Sequence, residues 1–272
     1  MGKRLLKAHV WLLYAFLYAP ILVVVALAFN GGKQVLVWEG FSFKWFGEAL
    51  RDPTITEPLK NSLLIASANA VIACMLGTLL ALALARMGAW LRVPLDALAY
   101  MTLVTPEIVF GISALIFFVQ VGNWVGIDSP LGLGTILVSH VVFNTSVVAL
   151  IVRARFVGMG QQLEEASFDL GAGPISTFRQ VTLPRLAPAI LAGGLLAFTF
   201  SFDDFVTSFF VAGAGTTTLP IRIFSSLRFG VSPAINAMAA MILVLTLTAV
   251  VVAYVILRRT SGGRGGTVVP GV

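Results

Sequence analysis

Charge is what this sequence most lacks. Lys, Arg, Asp and Glu make up 11% of its 272 residues, against about 25% in ordinary soluble domains, while 58% are hydrophobic. With 18 basic and 12 acidic side chains, most of the length cannot present the charged surface that keeps a water-exposed fold dispersed. That excludes a soluble globular protein and leaves the bilayer as solvent. Cysteine is nearly absent as well: the single Cys74 excludes a disulfide framework and a multi-cysteine metal site. The two histidines, His9 and His140, stand far apart and neither joins a ligand cluster, so no metal site is expected. The phosphate loop G-x-x-x-x-G-K-[ST] is missing, as are H-E-x-x-H and G-x-S-x-G. The chain is therefore expected to carry no cofactor and to catalyse nothing itself, with any energy from ATP supplied by a partner. A net charge of +6 does not point to nucleic acid, because the basic residues form short clusters between apolar runs rather than one face.

What is present is a series of six apolar runs, each near the ~20 residues that cross a bilayer. They cover 9–29, 62–85, 97–122, 131–152, 186–212 and 234–257. The fold expected is all-α and polytopic, with six transmembrane helices. Lys3, Arg4 and Lys7 before the first run, and Ala26-Leu27-Ala28 at its end, resemble a signal peptide. A signal h-region spans only about 7–15 residues, however, and this run is longer, so a retained anchor is expected. Basic residues favour the cytoplasmic side of spans. With the amino terminus inside, twelve of the 18 fall in inner segments and six in outer ones, which places both termini in the cytoplasm. Residues 1–61 are expected to hold the first span and an external interfacial segment, where Trp38, Phe41, Phe43, Trp45 and Phe46 suit the membrane surface. Residues 62–260 form a five-helix core with an inner loop at 153–186, and the Gly-rich 261–272 is a flexible tail. The loop is below the ~50 residues of an independent domain.

Three carboxylates fall inside the runs, where an ionised group is costly unless it faces a bundle interior or an aqueous path. Glu107 lies about 15 Å into the third run at 1.5 Å per residue, and Asp203 and Asp204 about 24 to 26 Å along the fifth. On a continuous helix Asp203 shares a stripe with Thr199 and Thr207, and Asp204 with Ser201 and Ser208. Either could line a path, and the spacing does not choose between them. Phe200, Phe202 and Phe205 stand beside them as aromatic faces. His140, Asn144 and Thr145 are expected to hydrogen-bond between helices, and Gly193-Gly194 to allow close helix packing.

The inner stretch QQLEEASFDLGAGPISTFRQVTLPRLAP, 161–188, is the most informative. Leu163, Ala166, Ser167 and Leu170 recur at helical spacing, Gly171 is a helix stop, and Gly173-Pro174 makes a turn. A second short helix carries Phe178 and Val181 until Pro184 and Pro188 redirect the chain. Glu165-Ala166-Ser167, then Gly171 after three residues, then Val181-Thr182-Leu183-Pro184 after nine more, resembles the signature of the membrane permeases of binding-protein-dependent ABC importers. Ser and Val stand where that signature has Ala and Ile, and both preserve size. The resemblance runs from about Ser62 to Ile256, with the first span fitting by hydropathy alone.

It implies a type I ABC importer permease fold and a bacterial inner-membrane location. It makes the loop, with Glu164, Glu165, Ala166, Ser167, Gly171, Leu183 and Pro184, a coupling element for partner ATPases that bind ATP and Mg. It also implies two such ATPase subunits, a second permease and an external substrate-binding protein. Within the family, Phe200-Ser201-Phe202-Asp203-Asp204-Phe205-Val206, Thr218-Leu219-Pro220-Ile221, Phe229-Gly230-Val231-Ser232-Pro233 and Thr105-Pro106-Glu107-Ile108-Val109 look like the spermidine and putrescine permeases. That implies a polyamine path through Glu107, Asp203, Asp204, Phe200 and Phe202. The alternatives are another small amine, an amino-acid derivative or an anion, and, from another class, a stand-alone secondary cation carrier.

Overall fold

The computed structural model describes residues 2–34, 37–160, 162–229 and 232–262. Of the expected flexible tail, everything from 263 lies outside the described residues, as do Gln161, Gly230 and Val231 of the motif stretches. The described chain is helical throughout apart from its connections and one isolated antiparallel bridge, Asn30 to Phe41. It divides into two compact units, one built from residues 1–56 and 223–272 and the other from 57–222.

In the first unit, α1 (Gly2–Ala28) and α2 (Lys44–Arg51) both pack against α12 (Pro233–Gly262). Beyond the basic turns that hold Lys3, Arg4 and Lys7, α1 is apolar on every side and leaves Trp11, Phe16 and Leu22 open, as a helix solvated by lipid does. After it the chain turns on Asn30, which is fully buried. Its Oδ1 accepts the N–H groups of Gly32 at 3.2 Å and Glu39 at 2.9 Å, and its Nδ2 donates to the Val37 carbonyl at 2.6 Å. α2 buries Trp45 and Ala49 on one face. Trp45 Nε1 donates to the Gly32 carbonyl at 3.1 Å, so the short helix is pinned to the turn.

The second unit contains α3 (Pro53–Arg86, from Glu57 on), α4 (Ala89–Val104), α5 (Glu107–Val125) and α6 (Leu133–Val157). After them come α7 (Gln162–Asp169), α8 (Pro174–Thr177), a π-turn (Phe178–Thr182), α9 (Leu183–Phe202) and α10 (Val206–Val211), and the chain leaves along α11 (Leu219–Phe229). Its core is a seam of α3, α6 and α9: Ala73, Ala81, Val148, Val152, Leu186 and Ala197 are all buried. Small residues set the spacing, since in lipid helices associate by close packing rather than by hydrophobic expulsion. Gly193 faces Val148 and Gly194 faces Cys74 Sγ, so the Gly193-Gly194 pair does admit neighbouring helices. Polar ties cross the same seam: Asn69 Nδ2 donates to the Ala197 carbonyl at 2.9 Å, and Cys74 Sγ to that of Ile190 at 3.4 Å.

Gly77 makes a close approach across this seam, because a Cβ there would stand 2.7 Å from Val148 Cβ. Gly77→Ala is expected to cost about 1–3 kcal/mol by overpacking and to lower the melting temperature of the detergent-purified protein. Gly47→Ala, which meets nothing within 4 Å on α2, is expected to leave it unchanged or raise it. Equal melting temperatures for the two variants would count against this seam.

Two of the six apolar runs are not single helices. The run 97–122 is interrupted at Thr105-Pro106, and 186–212 at residues 203–205. Among the described residues five helices are long and apolar enough to cross a bilayer: Lys3–Ala28, Pro53–Arg86, Glu107–Val125, Leu133–Val157 and Pro174–Phe202. The described apolar part of α12, Pro233–Thr248, is shorter. Pro184 and Pro188 do not redirect the chain as expected. Pro184 occupies the first turn of α9, where its missing N–H is no loss, and Pro188 rides inside the same helix.

Candidate functional site

The two interruptions meet at one cavity of about 460 Å³. At the first, Thr105 adopts φ −62° and ψ 127°, the extended conformation forced on a residue before proline. α4 ends there and α5 restarts with Glu107 in its first turn. At the second there is no proline. Asp203 caps α9 at φ −98° and ψ 0°, and Asp204 Oδ1 accepts the Ser208 N–H at 3.0 Å in the first turn of α10. An Asp side chain that takes a backbone donor offers the chain an alternative to continued helix. The stripes drawn through Thr199, Asp203 and Thr207, and through Ser201, Asp204 and Ser208, therefore do not exist as helix faces, because the helix stops between their members. The depth reckoned along the fifth run likewise ends with α9 at Phe202.

Glu107, Asp203, Asp204 and Phe200 all line the cavity, so four of the five expected path residues converge. Phe202 lies outside the lining, nine-tenths buried and stacked on Phe198 at 5.8 Å. Phe205 does line it, as do Phe110 and Phe143, which the sequence did not single out. Phe143 meets Phe110 and Phe200 edge-on, each at 6.4 Å between centroids. No Lys or Arg is in the lining. The wall is thus three carboxylates set among aromatic rings, a combination that attracts cations by charge and by the negative faces of the rings.

The carboxylates are not equivalent. Glu107 and Asp204 stand at the starts of α5 and α10, where an acid offsets the positive end of the helix. Asp203 stands at the end of α9, where the carbonyls already carry partial negative charge. It is exposed to the cavity side, and among the described residues no side chain donates to its carboxylate.

His140 holds the second interruption together. Its ring is 3% exposed. Nδ1 is 2.7 Å from Ser201 Oγ on α9, while Nε2 is 3.2 Å from Ser208 Oγ on α10 and 3.5 Å from Asp204 Oδ2. Asn144 donates to the His140 carbonyl at 3.0 Å and to Asn69 Oδ1 at 3.4 Å. These two side chains do join helices as expected, whereas Thr145 Oγ1 is buried without a partner among the described residues. The link from His140 to the Asp pair was not read from the sequence. Its signal was the serines flanking that pair at 201 and 208.

The inner loop forms a second candidate site. α7 buries no residue. Gly171 ends it at φ +83°, a left-handed conformation that glycine adopts without steric cost. Gly173 is the N-cap of α8 with Pro174 following, so the turn is built from both glycines. Leu163, Phe168, Leu170 and Ile175 are exposed apolar side chains of this loop, Leu170 at 89% and Ile175 at 83% exposure. Glu165, Ala166, Leu183 and Pro184 are exposed as well. Glu164 faces inward, bonded to Thr182 and Arg86. Asp96 and Arg153 pair nearby and tie α4 to α6.

These features agree with what the chain is similar to. A family model described as the binding-protein-dependent transport system inner membrane component matches residues 73–262. The putrescine transport system permease protein PotI of Escherichia coli (strain K12) is 43% identical over 233 residues, 85% of this chain and 82% of that one. The spermidine/putrescine transport system permease protein PotC of the same organism is 33% identical over 268 residues, 98% of this chain and 99% of its own length. That second match takes in the first span, which the motifs did not reach. Among solved structures, a bacterial ABC transporter involved in the import of the acidic polysaccharide alginate gives a TM-score of 0.75 at 17% identity, covering 95% of this chain and 94% of that one. The MetNI methionine ABC transporter in an inward-facing conformation gives 0.63 at 18% identity, over 75% and 95% of the two chains. At those identities the likeness is one of fold. The chain belongs to the family of inner-membrane components of binding-protein-dependent transport systems, as a multi-pass ABC importer permease subunit that is not itself an enzyme.

Proposed function

We propose that this chain forms half of the translocation path of an importer for polyamines. One observation carries the reading: three carboxylates and four phenylalanines line a single cavity whose lining holds no lysine or arginine. A polyamine is a flexible chain of ammonium groups joined by methylenes, and it needs acceptors for the charges and apolar faces for the linkers. Asp203 is the carboxylate with capacity to spare for an ammonium, and Glu107 and Asp204 add their field while serving the helix starts. The names of the relatives support the same substrate class, since PotI is a putrescine permease and PotC a spermidine/putrescine permease.

Residues 62–260 act as the permease core and 1–61 as the first span with an external interfacial segment, six crossings in all with both termini cytoplasmic. α4 and α5 together make one crossing, and α9 with α10 another. The excess of inner basic residues supports that orientation. A second permease of similar fold closes the cavity from the other side, and an external binding protein delivers the substrate. Two ATPase subunits, holding ATP and Mg, receive the loop through Leu170, Ile175 and the exposed Glu165, and their closure rocks the spans between outward and inward access.

The test is uptake into proteoliposomes by the assembled complex with its binding protein. Labelled putrescine or spermidine is expected to enter only with ATP and binding protein, and a neutral diol of equal length is expected not to compete. Uptake of an anionic solute with none of either polyamine would overturn the substrate assignment.

A further inference from the structure

We infer that Glu164 is a positioning residue that clamps the coupling loop to two spans at once, so that a displacement of α7 is delivered to both; the inference rests on the importer reading above. Glu164 lies in the first turn of α7 and its side chain is 16% exposed. Oε1 accepts the Thr182 hydroxyl at 2.5 Å, and Oε2 meets the Arg86 guanidinium at 3.3 Å. Arg86 is the last residue of α3, and Thr182, fully buried, is the residue from which α9 departs. One carboxylate therefore joins elements 78 and 18 positions away from it.

Two features set this arrangement apart from an ordinary surface ion pair. First, α7 has eight residues and buries none of them, and a helix so short does not persist by its own hydrogen bonds. Its hold on the rest of the unit is polar: the Glu164 contacts and a 2.9 Å bond between Ser167 Oγ and Thr177 Oγ1. Second, Thr182 closes a π-turn, in which the Leu183 N–H reaches back to the Phe178 carbonyl. A Thr hydroxyl within a helix commonly bonds the carbonyl four residues back, whereas this one donates out of its helix to Glu164. π-turns inside helices recur at functional positions. A carboxylate with both oxygens engaged and largely shielded from water yields less readily than an exposed one.

α9 continues from Thr182 without interruption to Phe202, and 20 residues at the helical rise span about 30 Å. Its C-cap is Asp203. A displacement of α7 thus enters α9 at Thr182 and arrives at the carboxylate cavity, while Arg86 carries the same displacement into α3. With the clamp opened, α7 follows the ATPase and the two spans do not.

The experiment uses the complete importer in proteoliposomes and reads ATP hydrolysed and polyamine delivered in the same sample. Thr182→Val removes the donor at nearly constant shape, Thr182→Ser keeps it, and Glu164→Ala removes the acceptor. Thr182→Val and Glu164→Ala are expected to lower polyamine delivered per ATP about tenfold, the scale of one hydrogen bond to a charged group, with hydrolysis and assembly retained. Thr182→Ser is expected to stay near wild type. A wild-type ratio in both disruptive variants would overturn the inference. So would a parallel loss of hydrolysis and transport with ATPase dissociation, because Glu164 would then only maintain the loop, and so would a Thr182→Ser as impaired as Thr182→Val. If the wild-type complex itself delivers no polyamine on hydrolysing ATP, the importer reading falls first and this inference with it.

Discussion

Asn in place of Asp203 is expected to cut polyamine uptake about ten- to a hundredfold in kcat/KM, the worth of one charge-assisted pair of about 1.5–3 kcal/mol. Assembly and melting temperature should be unchanged, because no side chain of the described residues relies on this carboxylate. Asp204 is expected to behave otherwise. Its Oδ1 takes the Ser208 N–H and its Oδ2 lies 3.5 Å from His140 Nε2, so Asp204→Ala leaves a helix start without its acceptor and should lower the melting temperature. Asp204→Asn retains an acceptor oxygen and should be milder on stability. The measurements are initial uptake rates in proteoliposomes and thermal unfolding in detergent for the same set of variants. Unchanged uptake in Asp203→Asn would sink the proposed role of that residue, and equal unfolding temperatures for Asp203→Asn and Asp204→Ala would erase the distinction between the neighbours.

The second large effect is expected on the inner loop. Leu170 and Ile175 are 89% and 83% exposed, and burying an aliphatic side chain is worth about 1.5–3 kcal/mol. Leu170→Asp with Ile175→Asp is therefore expected to weaken ATPase association at least about a hundredfold, at 1.4 kcal/mol per factor of ten. The variant should still insert and unfold as the wild type does, because neither side chain contributes to the buried core. Co-purification of the ATPase subunits and their polyamine-stimulated hydrolysis check this. Undiminished recovery of the ATPase with the double variant would mean that another surface carries the docking.

Much of this was legible in the residues, and the limits of that legibility have physical causes. The carboxylates announced themselves because charge is costly in lipid, and the loop because Glu165, Gly171 and Pro184 stand at fixed intervals. The helix breaks were missed for the opposite reason: hydropathy sums over about 20 residues, and an interruption of two or three leaves the sum intact. Pro106 signalled one break through its effect on Thr105. The other needed the side chain of Asp204 to be read as a helix start rather than as a group on a helix face. Pro184 does not end the helix because a first-turn proline costs it nothing, and Pro188 is carried inside the same helix without breaking it. His140 was legible as a helix-to-helix tie but not as the brace of the fifth run's interruption, because its partners Ser201, Asp204 and Ser208 lie more than sixty positions away. The inward turn of Glu164 also had no sequence signal, since Arg86 comes from a different span.

The placing of adjacent carboxylates at opposite kinds of helix end bears on how such permeases diverge. Asp204 answers to the architecture, and a lineage that loses it loses part of a helix start. Asp203 answers to the cavity alone, so a change there alters the cargo site and leaves the helix starts intact. Descendants of this scaffold could exchange one cargo for another of different charge through position 203 and the surrounding rings, without renegotiating how the fifth crossing is built.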